Sequence, residues 1–263
     1  MANQTVDVGV VDRNELTLHG ISLTSADSGT PHIHHAWRTW PGATVIAGVE
    51  RLDRAGLCRR IQNSRADGGT HLWRINSPLS IAHEHLVSRN GPLDWDSMAE
   101  WMASFSTARD WRRAMRVSDR KELRRDCDRV HAAPLAPTNL RLFKQTWMVI
   151  TQVARPLRLE GIRIEPCAGS IDSRVTICES NATSVLVRGG VPASGYKGEG
   201  TAPQSRRESI ITWLRTRNIG IGPDLAQRAV EETHGGTLDA LLMTTDPQHT
   251  VAPAGAVLES WIY

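Results

Sequence analysis

The feature that most constrains this chain is a run of three short alternating segments that comes before any helical pattern. Residues 16–24, LTLHGISLT, alternate as a half-buried strand does, and the ADSGTP that follows, rich in Gly, Ser and Pro, predicts a turn. HIHHAW and then ATVIAGVERL read as a second and a third strand. Strands that follow one another this closely form an antiparallel meander, whose apolar face later elements must cover.

Those later elements alternate. RAGLCRRIQNSR has the spacing of a helix with Leu57 and Ile61 on its inner face, and HLWRIN, entered after Gly68-Gly69, reads as a fourth strand. DWDSMAEWMASF predicts a helix opened by a capping box of Ser97 with Glu100, and Met98, Trp101, Met102 and Phe105 form its apolar face. The Arg-rich stretch 106–136 reads as a solvated helical face. The longest helix is expected from the Pro-Thr-Asn start at 137 to about Gly161, with Leu140, Phe143, Trp147 and Ile150 on one stripe. RVTICE is a further strand that places Val175, Ile177 and Glu179 on one face by the two-residue period. QSRRESIITWL carries a second capping box, Ser205 with Glu208, and TLDALLM opens a closing helix. This order predicts an α/β fold, a mixed sheet of an antiparallel three-strand meander plus parallel strands, flanked by helices. Ligand sites in such sheets gather where strands end in a crevice.

A chain of 263 residues with no long linker fits a single domain over 18–263, after an N-terminal extension of 1–17. The net charge of +3 permits a polyanionic partner without requiring one. Cys58, Cys127, Cys167 and Cys178 form no close pair, so neither a zinc framework nor a disulfide framework is indicated. With no leader pattern and no apolar run near the length of a membrane span, the expectation is a soluble, cytoplasmic protein without a membrane partner. Nothing in the pattern sets an oligomeric state. Nine Trp against two Phe and two Tyr make tryptophan the main aromatic filler of the core. His32 and His34 face one way along a strand, but two imidazoles make no metal site, and the role of neighbouring His35 stays open. YKGEG lacks the Gly-Lys-Ser/Thr ending of a nucleotide-binding loop.

Six stretches form an ordered set: GISLTSA, INSPLS, APTNLRLFKQT, CESNATSVL, GYKGEG followed by RRESIITWL, and GGTLDALL. In order and spacing this set, spanning roughly residues 18–246, resembles the family catalogued as domain of unknown function 429. Members of that family are expected to be metal-dependent nucleases of ribonuclease-H-like fold. The resemblance implies an acidic cluster, of which Glu179 and Asp239 keep their carboxylates as catalytic and metal-binding candidates. Ser22, Asn76 and Gly236 stand where the family carries acids. Lys197, Arg206 and Arg207, at the start of a helix, are implied phosphate-binding residues.

Nucleases of this kind use two divalent ions about 3.5–4 Å apart to activate water and steady the leaving oxygen. Asn76 offers a carbonyl and Ser22 a hydroxyl, and neither brings charge. Two carboxylates hold Mg²⁺ or Mn²⁺ weakly or not at all. The expectation is a ribonuclease-H-like protein with weak or lost catalysis that retains binding of phosphate or nucleic acid. Two alternatives stand beside it: an active nuclease using Glu179 and Asp239 with a substitute ligand such as Asp27 or a cleft histidine, and a non-catalytic interaction scaffold.

Overall fold

The computed structural model describes residues 16–23, 32–40, 48–87, 94–115, 122–167, 174–245, 252–253 and 256–263. Asp27, the turn at 26–31, the extension up to residue 15 and the front of the third strand segment lie outside these residues. The strands are β1 (Leu16–Leu23), β2 (Ile33–Trp40), β3 (Gly48–Leu52), β4 (Thr70–Ile75), β5 (Arg163–Glu165) and β6 (Val175–Glu179). They make a six-stranded mixed sheet ordered β3-β2-β1-β4-β6-β5, flanked by helices and consistent with a ribonuclease-H-like arrangement. Among the described residues no helix is long and apolar enough to cross a membrane. By their internal contacts the described residues fall into two compact units, one of Arg13–Asn76 with Ser180–Pro247, the other of Ser77–Glu179 with Gln248–Tyr263.

In the first unit β1 pairs antiparallel with β2 and parallel with β4, and β2 pairs antiparallel with β3. Helix α1 (Arg54–Asn63) starts at Asp53, whose side chain accepts the Gly56 N–H, and it buries Leu57 and Ile61. This unit also holds α8 (Ala182–Arg188), α9 (Thr201–Thr216), α10 (Pro223–Glu231) and α11 (Gly236–Leu242). Helix α11 lies directly on β1 and β2, and Gly20 is what lets it approach. A Cβ there would overlap the Ala240 carbonyl oxygen and come 2.7 Å from Met243 Cβ.

Two buried arginines fix how α11 slides along the sheet. Arg38 Nε donates to the Thr244 carbonyl at 2.6 Å, and Arg74 Nη1 donates to the Met243 and Thr245 carbonyls at 2.8 Å each. These carbonyls belong to the C-cap Met243 and to the turn just after α11, beside the negative end of its dipole, so cations from the sheet seat that end.

The second unit contains α2 (His83–Val87), α3 (Trp95–Ala103), α4 (Ala108–Ala114), α5 (Asp126–Val130), α6 (Phe143–Val149), α7 (Arg155–Leu159), α12 (Ala256–Glu259) and the parallel pair β5 and β6. Here several expectations are corrected. The cap of α3 is Asp94, which accepts the Ser97 N–H, so the expected box on Ser97 sits one turn too late. The expected longest helix begins at Phe143 and leaves Leu140 67 % exposed outside it. Between α6 and α7 the helix widens into a π turn, Ile150–Ala154, in which the Arg155 N–H reaches the Ile150 carbonyl. Pro156 accounts for that register: it has no N–H, and in an α-helix its ring meets the carbonyl four residues back. In the first unit, α9 starts at Thr201, so Ser205 is interior to the helix and not its cap.

Candidate functional site

The site is built on the sheet face that α11 covers. Ser22 and Asn76 follow the paired residues Ile21 and Ile75 at the ends of two parallel strands, and the Asn76 N–H donates to the Ile21 carbonyl at 2.8 Å. Period-two alternation aims both side chains to the face that carries Gly20, hence towards α11. Ser22 is buried, and opposite it in register is His34 of β2. The His34 ring contacts the Thr237 hydroxyl at 3.2 Å and Glu232 at 3.3 Å, while Glu232 accepts the Thr237 N–H at 2.6 Å. Burial lowers the proton affinity of His34, against the pull of Glu232.

Asp239 is the fourth residue of α11, with its side chain 3 % exposed. Its Oδ1 accepts the Tyr196 hydroxyl at 2.8 Å, and its Oδ2 takes the Lys197 ammonium at 2.7 Å and the Asn76 amide at 3.4 Å. Tyr196 is buried, and its hydroxyl is held firmly protonated by burial first and then by the neighbouring carboxylate. Asp239 is therefore a buried carboxylate with a cation of the chain's own on it. A buried charge requires such a partner.

Lys197 reaches that position because the glycines around it let the chain turn. Gly195, Gly198 and Gly200 have φ of 77°, 111° and 99°. Arg207 holds the turn in place. It is 2 % exposed, its Nη1 donates to the carbonyls of Tyr196 at 2.7 Å and Gly198 at 3.0 Å, and its Nε donates to that of Val230 at 2.5 Å. Of the three expected phosphate-binding residues, Arg207 thus spends its donors on backbone carbonyls. Arg206 is exposed on α9, and Lys197 is 52 % exposed while paired to Asp239. Gly200 caps α9 with no side-chain hydrogen bond, so the first N–H groups of this 16-residue helix have no side-chain cap. Gly236 opens α11 and is buried.

Glu179 ends β6 in the other unit and is 3 % exposed. Arg125 meets it with both guanidinium nitrogens, Nη2 to Oε1 at 2.5 Å and Nη1 to Oε2 at 2.7 Å, and the Leu79 N–H adds a bond to Oε2 at 2.9 Å. Asp128 shares the same guanidinium at 2.7 Å. Burial pushes the Glu179 carboxyl up against the pull of Arg125. The apolar same-face neighbours in RVTICE signalled this burial. Its partner was missed, because Arg125 belongs to the stretch expected to be a solvated face.

All four oxygens of Glu179 and Asp239 thus accept from N–H, O–H or ammonium donors of the chain. Among the described residues no group of three or more His, Cys, Asp or Glu is arranged to hold a metal ion. The donor set as it stands fits protein cations better than a divalent ion. Asn76 adds to this: its amide donates to Asp239, where an acid would repel it.

No family model, curated protein or solved structure matches this chain. The reading of the site rests on its residues.

Proposed function

We propose that this protein is a ribonuclease-H-like nucleic-acid-binding protein that does not cut. The observation that carries this reading is the Lys197–Asp239 pair at the end of β4. One ammonium provides, beside Asn76, the positive charge that a nuclease takes from metal. A divalent ion reaches Asp239 only after Lys197 leaves, so Mg²⁺ or Mn²⁺ belongs to this reading as a weak ligand. Phosphate binding falls to the half-exposed Lys197, the exposed Arg206 and the uncapped start of α9, whose N–H groups and dipole favour an anion. Glu199, exposed in the same turn, sets the limit on that attraction.

The test is fluorescence anisotropy with a labelled single-stranded oligonucleotide across a salt series, run beside a cleavage assay in Mn²⁺. The expected result is binding that weakens with salt, a salt slope reduced by about one in Arg206→Ala, and an intact oligonucleotide. Cleavage that is lost in Asp239→Asn would establish an active nuclease instead. Absence of binding would leave the scaffold.

A further inference from the structure

The sheet face opposite α11 carries a row of hydrogen-bonded histidines that the candidate site does not use. His35 Nδ1 lies 2.9 Å from Glu50 Oε1, and His35 Nε2 lies 3.0 Å from His19 Nδ1. His19 Nε2 lies 2.9 Å from His71 Nδ1, and His71 Nε2 lies 2.8 Å from Asp67 Oδ1. The row crosses β3, β2, β1 and β4 and ends in the turn after α1. The three rings are 2–6 % exposed, and Trp73 stacks on His19 at 3.7 Å between ring centroids. His19 uses its two nitrogens towards different neighbours, so the imidazoles do not converge on one point as metal ligands do.

Counting protons shows what the row requires. Four links need four protons, because each nitrogen-to-nitrogen or nitrogen-to-carboxylate contact needs one. Three neutral imidazoles carry three. With three, one link is left without its proton: either a terminal ring nitrogen faces a carboxylate with a lone pair, or two ring nitrogens face each other with lone pairs. A fourth proton completes the row and gives it one positive charge, set between Glu50 and Asp67.

The surroundings decide which end takes that proton. Arg60 on α1 donates to both Glu50 oxygens at 2.9 Å and so already neutralises that end. Trp37 on β2 and Trp73 on β4 bring no charge. Asp67 is 56 % exposed and has the His71 ring and the Gly69 N–H on Oδ1. Burial, before all else, holds His19 and His35 neutral, with His35 lowered to about 4. We propose that the histidine row is a one-proton switch: uptake at His71 closes the link to Asp67 and fastens the turn between α1 and β4 to the sheet, and loss of that proton releases the turn.

The test uses the side-chain nitrogen signals of the full chain, followed by NMR from pH 5 to 9 in the native protein and in Asp67→Asn. Asp67 is at the surface, and its amide isostere can donate to a neutral His71, filling the fourth link without the extra proton. The expected result is one titration, at His71, with His19 and His35 kept as single tautomers protonated on Nδ1. In Asp67→Asn that titration is lost from the range, and the exchange of the Gly69 amide no longer changes with pH. An identical His71 titration in both proteins would overturn the proposal. So would independent titration of the three rings, or uptake of stoichiometric Zn²⁺ with loss of the ring N–H signals.

Discussion

At the scale of single residues, the state of Asp239 and of Glu179 is set by the donor that reaches each. Asp239 is held by Tyr196, Lys197 and the Asn76 amide, so building a metal site there takes two changes at once. Lys197→Ala with Asn76→Asp removes the ammonium and adds an acid beside Asp239. Calorimetry should then detect Mn²⁺ binding in the double variant that is at least tenfold tighter than in the native protein, and equal affinities would contradict the role given to Lys197. Glu179 shows the opposite dependence. Arg125→Met strands Glu179 and Asp128 as buried charges, and such losses cost about 3–5 kcal/mol. Urea unfolding should show that loss, and adding Glu179→Gln and Asp128→Asn to Arg125→Met should recover part of it.

At the scale of elements, the placement of α11 is what puts Asp239 at the strand ends. Gly20 admits the helix, and Arg38 and Arg74 hold the carbonyls of Met243 to Thr245 just past its end. Gly20→Ala forces a Cβ into Ala240 and Met243, and overpacking of this kind costs about 1–3 kcal/mol. A denaturation midpoint unchanged in that variant would show that the helix yields easily. The cap of α3 gives a smaller, local effect: Asp94→Ala removes the acceptor of the Ser97 N–H and should cost about 1 kcal/mol by the same measurement. Much of this layer could be read in the chain. LTLHGISLT, RAGLCRRIQNSR, HLWRIN and RVTICE are where the alternation or helical spacing puts them, within about two residues. Starts and stops are less local: Asp94 and Gly200 begin the helices that the motifs at Ser97 and Ser205 point to, because a capping-box pattern also occurs inside a helix.

For the whole molecule, the buried histidines make stability depend on pH. His35 in the folded chain is lowered by burial to about 4, below the ordinary 6.5, and His19 is lowered as well. Between 6.5 and about 4 the unfolded chain binds the proton that folded His35 does not, so the contribution of His35 is full above about 6.5 and is lost as pH falls towards 4. The His35 share of that loss is up to about 3 kcal/mol. Thermal unfolding across pH 7.5 to 4.5 should show the melting temperature falling on the acid side, and His35→Gln should flatten the fall.

Periodicity and residue chemistry along the chain are enough for the alternation of elements, the meander, the apolar face that Glu179 shares and the absence of charge at Ser22 and Asn76. Only the tertiary structure decided which cation meets which carboxylate. Arg125 lies 54 positions from Glu179 and Lys197 lies 42 from Asp239, and Arg207 turned out to hold a loop. His19, His35 and His71 become one row only when β1, β2 and β4 pair in register. Local pattern fixes which way a side chain faces, whereas the partner it finds depends on strand register and helix placement, and distant residues set both.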